Sequence, residues 1–236
     1  MSIAENVAKI LRDIEEAAVC CGRNPQEIQL CAATKMNDAD AVRQAIAAGV
    51  NCCGENRVQE LTQKLSQNAY EGAPVHFIGH LQTNKVRQVV GKVDLIQSVD
   101  RLKLLQCIQQ EAAAQGIVQD ILLEINIGEE ESKSGFALGD ILPLVEKIGV
   151  FPNVRVRGLM AIPPICENSG DNDKFFQEIH NLAVDITEKK YDNVSVDILS
   201  MGMSDDYADA IRCGSTMIRV GTAIFGARNY NVSHQN

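Results

Sequence analysis

Apolar positions recur at helical spacing over residues 3–21, where Ile3, Val7, Ile10, Leu11, Ile14, Ala17 and Ala18 form a stripe between charged residues. A turn follows at Gly22-Arg23-Asn24-Pro25. Beyond it, short β-type runs alternate with amphipathic stretches. The runs are Ile28–Thr34, Asn51–Gly54, Val75–Gly79, Leu95–Val99, Ile121–Asn126, Val154–Ile162, Val196–Ser200 and Thr216–Phe225. The helical stretches between them include Asp38–Ala48, Arg57–Gln67, Arg101–Gln115, Leu138–Ile148, Asp173–Lys189 and Asp205–Cys213, several of which end at glycine as helix C-caps prefer. Only the third connection, Gln82–Val90, is short.

Strands that alternate with helices pair in parallel through right-handed crossovers, and eight such units close a (β/α)₈ TIM barrel. A doubly wound open sheet is the rival. Against it, no G-x-G-x-x-G follows the first strand, and no Pro- or Ser-rich linker divides the chain. The expectation is a single α/β barrel domain over residues 1–230, with an extra N-terminal helix across its bottom or side and a disordered tail at 231–236.

Composition narrows the partners. The chain is 45% hydrophobic and 22% charged with a formal net charge of −9, an ordinary globular balance without the basic face that nucleic acid requires. No apolar run approaches the ~20 residues of a membrane span. The opening residues lack the basic start and apolar core of a signal peptide, so the expected location is the cytoplasm. Of the eight cysteines, Cys20-Cys21 and Cys52-Cys53 are adjacent, and Cys31, Cys107, Cys166 and Cys213 lie in apolar segments. Without a C-x-x-C, they read as reduced, small buried hydrophobes. His76, His180 and His234 are scattered in sequence, so no metal site is expected.

In such barrels chemistry sits at the C-terminal strand ends. Here those ends carry Lys35, Asn56, His80, Ser98 with Asp100, Asn126, Met160, Ser200, and Arg219 with Gly221 and Thr222. Lys35 is either a lysine that snorkels into water or an amine in a partly dry mouth, where desolvation makes it nucleophilic. Gly221 and Thr222 could cradle a phosphate of the kind barrels bind after strands seven and eight, and Ser200 could add a contact. Ser204 reads as the N-cap of the helix starting at Asp205. Arg219 could equally pair with an acid across the mouth. His80, with no accompanying carboxylate motif, reads as a structural or ligand-lining histidine rather than a base. The acidic run Glu129-Glu130-Glu131 before Ser132-Lys133-Ser134-Gly135 has the composition of a solvated loop that could act as a lid.

The chain closely resembles the pyridoxal phosphate homeostasis protein family, the YggS/PROSC type, whose fold is like the N-terminal barrel of alanine racemase. The stretches that carry the resemblance are Ala32-Ala33-Thr34-Lys35, Gly54 to Glu60, His76 to Lys85, Ser98 to Arg101, Ser132 to Gly135, Arg157 to Ile162, Leu199 to Asp206 and Gly214 through Arg228, in order over nearly the whole chain. The resemblance implies that Lys35 forms a Schiff base with pyridoxal 5′-phosphate (PLP) and that Arg219 faces its pyridine nitrogen. It also implies phosphate contacts from Ser200, Gly221 and Thr222, with Asn56 and His80 lining the ring. One departure stands out: members commonly show Ser-Lys-Thr-Lys-Pro around the Schiff-base lysine, whereas this chain has Thr34-Lys35-Met36-Asn37-Asp38.

An arginine opposite the ring nitrogen cannot give up a proton and so weakens the electron sink that most PLP enzymes exploit. Racemases of related fold add a second base from a further β-domain, and this sequence ends soon after strand eight. The expected function is therefore to buffer or deliver PLP in vitamin B6 and amino-acid homeostasis, without catalytic turnover. PLP-dependent apo-enzymes would be the recipients and the barrel a monomer. The alternatives are a PLP-dependent amino-acid racemase or other narrow-scope PLP enzyme, and a phosphate-sugar barrel enzyme without PLP.

Overall fold

The computed structural model describes residues 1–130, 133–165 and 168–226. The expected tail at 231–236, together with Ser132 and Cys166, lies outside them. Eight parallel strands, β1 (Gln29–Ala33), β2 (Cys52–Glu55), β3 (Val75–Phe77), β4 (Leu95–Val99), β5 (Gln119–Ile125), β6 (Val154–Ala161), β7 (Val194–Ser200) and β8 (Met217–Val220), follow one another in chain order around a closed barrel. Closure comes from β8 pairing with β1, which sets Arg219 beside Cys31 and, one strand further, Cys31 beside Cys52.

The helices are α1 (Ile3–Cys20), α2 (Ala39–Ala47), α3 (Val58–Ser66), α4 (Leu102–Gln115), α5 (Ile141–Val145), α6 (Asp173–Lys189), α7 (Tyr207–Arg212) and α8 (Thr222–Phe225). The third connection is a single 3₁₀ segment, Thr83–Gln88. Most of the apolar burial lies between the outward faces of the strands and these helices, while inside the barrel Leu95, Leu122 and Met160 form one small cluster and Cys31, Cys52 and Met217 another. No helix among the described residues is long and apolar enough to cross a membrane.

Three expectations are corrected. Strand eight stops at Val220, because the chain turns at Gly221 into the short helix α8. The helix expected over Leu138–Ile148 is broken into a 3₁₀ turn, α5 and a second 3₁₀ turn. Pro143 has no N–H to reach back four residues, so the first turn cannot run on as α-helix. Ser204 is not a cap: α7 begins at Tyr207, and it is Asp206 that folds back to accept from the Met203 N–H at 2.7 Å.

α1 starts with a capping box, Ser2 and Glu5 each bonding the other's backbone N–H. It lies along the barrel's side, where Val7, Ile10, Ile14 and Ala18 pack with Leu30, Ala32, Ile218 and Val220 from the outer faces of β1 and β8. Asn6 donates to the Ile224 carbonyl at 2.8 Å and Tyr207 donates to Asp13 at 2.7 Å, so the first helix is tied to the last two.

One glycine is required by the barrel wall. Gly158 of β6 has φ +148, and a Cβ there would stand 1.8 Å from the Ile198 carbonyl oxygen of β7. Gly158→Ala is expected to force the two strands apart at a cost of about 3 kcal/mol, read as a lowered midpoint in urea unfolding; an unchanged midpoint would show that the pairing accommodates a side chain.

Candidate functional site

The strand ends enclose a cavity of about 290 Å³. Lys35 and Asn56 enter it from the residues just after β1 and β2, Arg219 from β8, and Gly221 and Thr222 from the turn into α8. Met203, Ser204 and Asp205 complete the rim, with Ala33, Ile78 and Ile162 as apolar wall. Five of the seven residues read as binding candidates from the sequence therefore share one chamber.

Each is held in place. Asn56 sits where Gly79 lets two chain segments touch: a Cβ on Gly79 would lie 2.3 Å from the Asn56 carbonyl oxygen. The Asn56 side-chain Oδ1 is buried and has no hydrogen-bond partner, a costly condition unless a ligand supplies a donor. Arg219 is buried and donates to the Ser200 carbonyl at 2.7 Å, the Ser200 hydroxyl at 2.6 Å and the Ala161 carbonyl at 2.9 Å. Burial pulls its guanidinium below the ordinary arginine range. Of the two readings left open for Arg219, the ion pair is not seen: among the described residues no carboxylate forms one with it, and its hydrogen bonds go to neutral oxygens. Ser204 and Thr222 bring their hydroxyls within 3.1 Å of each other on the cavity wall. The first N–H groups of any helix lack an intrahelical acceptor, and here Thr222 begins α8 at the cavity.

The two strand ends that present Lys35 and Asn56 are joined by a buried carboxylate. Glu55, fully buried, accepts from the hydroxyl of Thr34, from Lys64 Nζ at 2.7 Å and from the Tyr70 hydroxyl at 3.1 Å. Lys64 also donates to the Thr34 carbonyl at 2.7 Å. Burial and the Glu55 charge push the Tyr70 hydroxyl far above the usual phenol range.

Two sequence candidates fall elsewhere. Ser200 points into the barrel, wholly buried; its hydroxyl donates to Gln97 Oε1 at 2.6 Å and accepts from Arg219, so it carries the arginine instead of lining the cavity. His80 stands outside the cavity lining, 53% exposed, and it does have a carboxylate: its Nδ1 lies 3.1 Å from both Asp100 and the Ser134 hydroxyl. Asn126 is a loop organiser, its side-chain amide bonding Glu130 on both sides at 2.9 and 3.3 Å. Together with the Lys133–Glu130 ion pair at 2.6 Å, this ties down the described part of the loop read from the sequence as solvated and able to act as a lid.

Below the cavity His76 is less isolated than its place in the sequence suggested. His76 on β3 meets Cys31 and Cys52 inside the barrel, with the Cys52 sulfur 3.5 Å from its Nδ1. Gln97 donates to the same nitrogen at 2.9 Å, so a hydrogen-bonded chain of His76, Gln97, Ser200 and Arg219 runs from this cluster to the cavity.

The family model described as "Alanine racemase, N-terminal domain" matches residues 6–229. A pyridoxal phosphate homeostasis protein of Pseudomonas aeruginosa is 41% identical over 97% of this chain and 97% of its own length, and one of Aquifex aeolicus is 40% identical over 98% of this chain and 100% of its own. The chain belongs to the pyridoxal phosphate homeostasis protein family. Among solved structures, PipY of Synechococcus elongatus with PLP bound superposes with a TM-score of 0.82 at 30% identity, covering 95% of this chain and 100% of PipY.

Two outcomes test the supports of the site. Lys64→Met leaves the Glu55 carboxylate buried without its cation and is expected to cost about 3–5 kcal/mol in urea unfolding, part of which Glu55→Gln should restore in the double variant. Glu124 titrates near neutrality: burial, reinforced by the Asp100 charge and opposed by Arg219, pushes its carboxyl up to about 7 from 4.5. Folding thus favours the protonated acid, a contribution full below the unfolded value and lost as pH rises through about 7. Between about pH 5 and 8 the stability of the parent chain should fall relative to Glu124→Gln; parallel stability curves would place the Glu124 carboxyl in a polar setting.

Proposed function

We propose that this protein binds pyridoxal 5′-phosphate in the cavity at the strand ends and serves as a cytoplasmic buffer or donor of the cofactor for vitamin B6 and amino-acid homeostasis, with PLP-dependent apo-enzymes as recipients. The observation that carries this reading is the convergence of Lys35, the unpartnered Asn56 oxygen, the buried Arg219 and the Ser204–Thr222 hydroxyl pair in one chamber. That set fits the cofactor: an amine, a cation, hydroxyl donors and an amide, around a volume of about 290 Å³ with an apolar wall. Support also comes from the family and from PipY, a relative with PLP bound.

Bound there, the cofactor supplies an aldehyde that captures amines and a phosphate with two negative charges. Lys35 would hold it covalently through Nζ. Gly221, Thr222 and Ser204 would bind the phosphate through backbone N–H groups and hydroxyls, and Asn56 would border the ring. Arg219, held by the Ser200 and Ala161 oxygens, keeps its protons and cannot protonate a ring nitrogen beside it. A ring left unprotonated is a poor electron sink, which favours carriage over turnover.

The test is the visible absorption spectrum of the full chain after incubation with PLP, before and after borohydride, beside Lys35→Ala. A lysine-dependent band that reduction fixes to the chain is expected, together with amino-acid turnover no faster than with free PLP. Absence of the band overturns the binding assignment; lysine-dependent turnover well above free PLP replaces the carrier with an enzyme.

A further inference from the structure

The first three strands each place a soft donor inside the barrel: Cys31 on β1, Cys52 on β2 and His76 on β3. The two sulfurs and an imidazole nitrogen all lie within 4.8 Å of one another. Cys31 is 0%, Cys52 1% and His76 6% exposed. Around them the set continues in kind. The Met217 thioether packs in the same cluster as both cysteines and sits 3.1 Å from the Gln97 amide nitrogen, which in turn reaches His76. Among the described residues no carboxylate belongs to the cluster.

The geometry points to a buried site for a soft d¹⁰ metal ion, copper(I) or zinc(II), held by Cys31, Cys52 and His76. With metal–sulfur and metal–nitrogen bonds of about 2.3 and 2.0–2.1 Å, trigonal coordination puts the sulfurs roughly 4.0 Å apart and each roughly 3.8 Å from the nitrogen. The Cys52–Nδ1 contact of 3.5 Å lies within a few tenths of an ångström of its span, and every separation in the cluster is at most 4.8 Å, so closing on an ion needs shifts of less than about 1 Å. Two thiolates and a neutral imidazole carry two negative charges, which a divalent ion cancels and a monovalent ion halves, so burial favours the loaded form. Thiolate and thioether donors select such ions over magnesium or calcium. The Gln97 amide donates to the same His76 nitrogen, Nδ1, so an ion bound there takes over the lone pair that Gln97 otherwise holds. Enclosed by the barrel, the site would load as the chain folds. Nothing in this assignment depends on PLP.

The experiment refolds the full chain anaerobically with a thiol-free reductant and cobalt(II), zinc(II) or copper(I) added singly, then passes it over a chelator and measures metal per chain. One ion per chain is expected, with the cobalt form showing thiolate-to-metal charge transfer in the near ultraviolet. Cys52→Ala and His76→Ala should each weaken retention by at least about 100-fold. Cys20→Ser/Cys21→Ser, which alters the exposed cysteine pair, should leave it unchanged. If the core variants do not fold, the charge-transfer band of the parent chain decides, since only bound thiolate gives it. Loss of metal in the Cys20/Cys21 variant alone, no ion held after the chelator, or a chain lighter by two hydrogens with Cys31 joined to Cys52 in a disulfide would each overturn the assignment.

Discussion

A single buried carboxylate joins the two strand ends on which the site depends. Glu55 and Thr34 directly precede Asn56 and Lys35, and the Glu55 side chain is bonded to Thr34, Lys64 and Tyr70 in a space closed to water. Charge in such a place is costly unless every partner stays put, so the network resists small displacements of β1 against β2 more sharply than apolar packing would. The amine of Lys35 and the amide of Asn56 inherit that rigidity through one peptide bond each. Backbone contact at Gly79 fixes Asn56 from its other side. A binding chamber assembled from strand ends needs such clamping, because the loops beyond the strands supply little of it.

The barrel interior extends the same logic downward. Typical barrels fill it with layers of branched apolar side chains. Here one part does so, with Leu95, Leu122 and Met160, while the other is a polar column from His76 through Gln97 and Ser200 to Arg219. Arg219 is therefore supported from below by neutral oxygens and leaves its charge uncancelled by a contacting acid. Glu124 nearby, its carboxyl raised to about 7 by burial, is only partly ionised at neutral pH. The cavity floor is thus cationic, which suits an anionic ligand.

How much of this the sequence disclosed depended on the range of the signal. Alternation of period-2 and period-3.6 segments is local, and it placed all eight strands and the order of the barrel; β4 is Leu95–Val99 in both readings. Lys35, Asn56, Arg219, Gly221 and Thr222 were visible because a residue's position at a strand end is also a local property. That Ser200 lies buried beneath the cavity and His80 exposed beside it was not visible, because direction is not local: whether a terminal side chain points into the barrel or out over the rim depends on register and bulges such as those of β4 and β6. Ser204 looked like a cap because its sequence neighbours suit one, and only the turn made by Asp206 released it to the cavity wall. The Glu55–Lys64 pair and the meeting of Cys31, Cys52 and His76 required the packing of α3 on β2 and the register of β1, β2 and β3, which no single segment discloses.

The placement of α1 bears on how the chain comes to be folded at all. Its apolar stripe is covered in part by β1 and α2 and in part by β8, α7 and α8, which are made much later; its bonds to Tyr207 and Ile224 span 194 and 218 residues. The seam between β1 and β8 closes at the same late moment. Until then a sticky amphipathic helix and two open sheet edges coexist on the nascent chain, the combination most prone to association with other chains. Synthesis of this barrel therefore passes through a long interval in which α1 has only the β1 and α2 part of its cover.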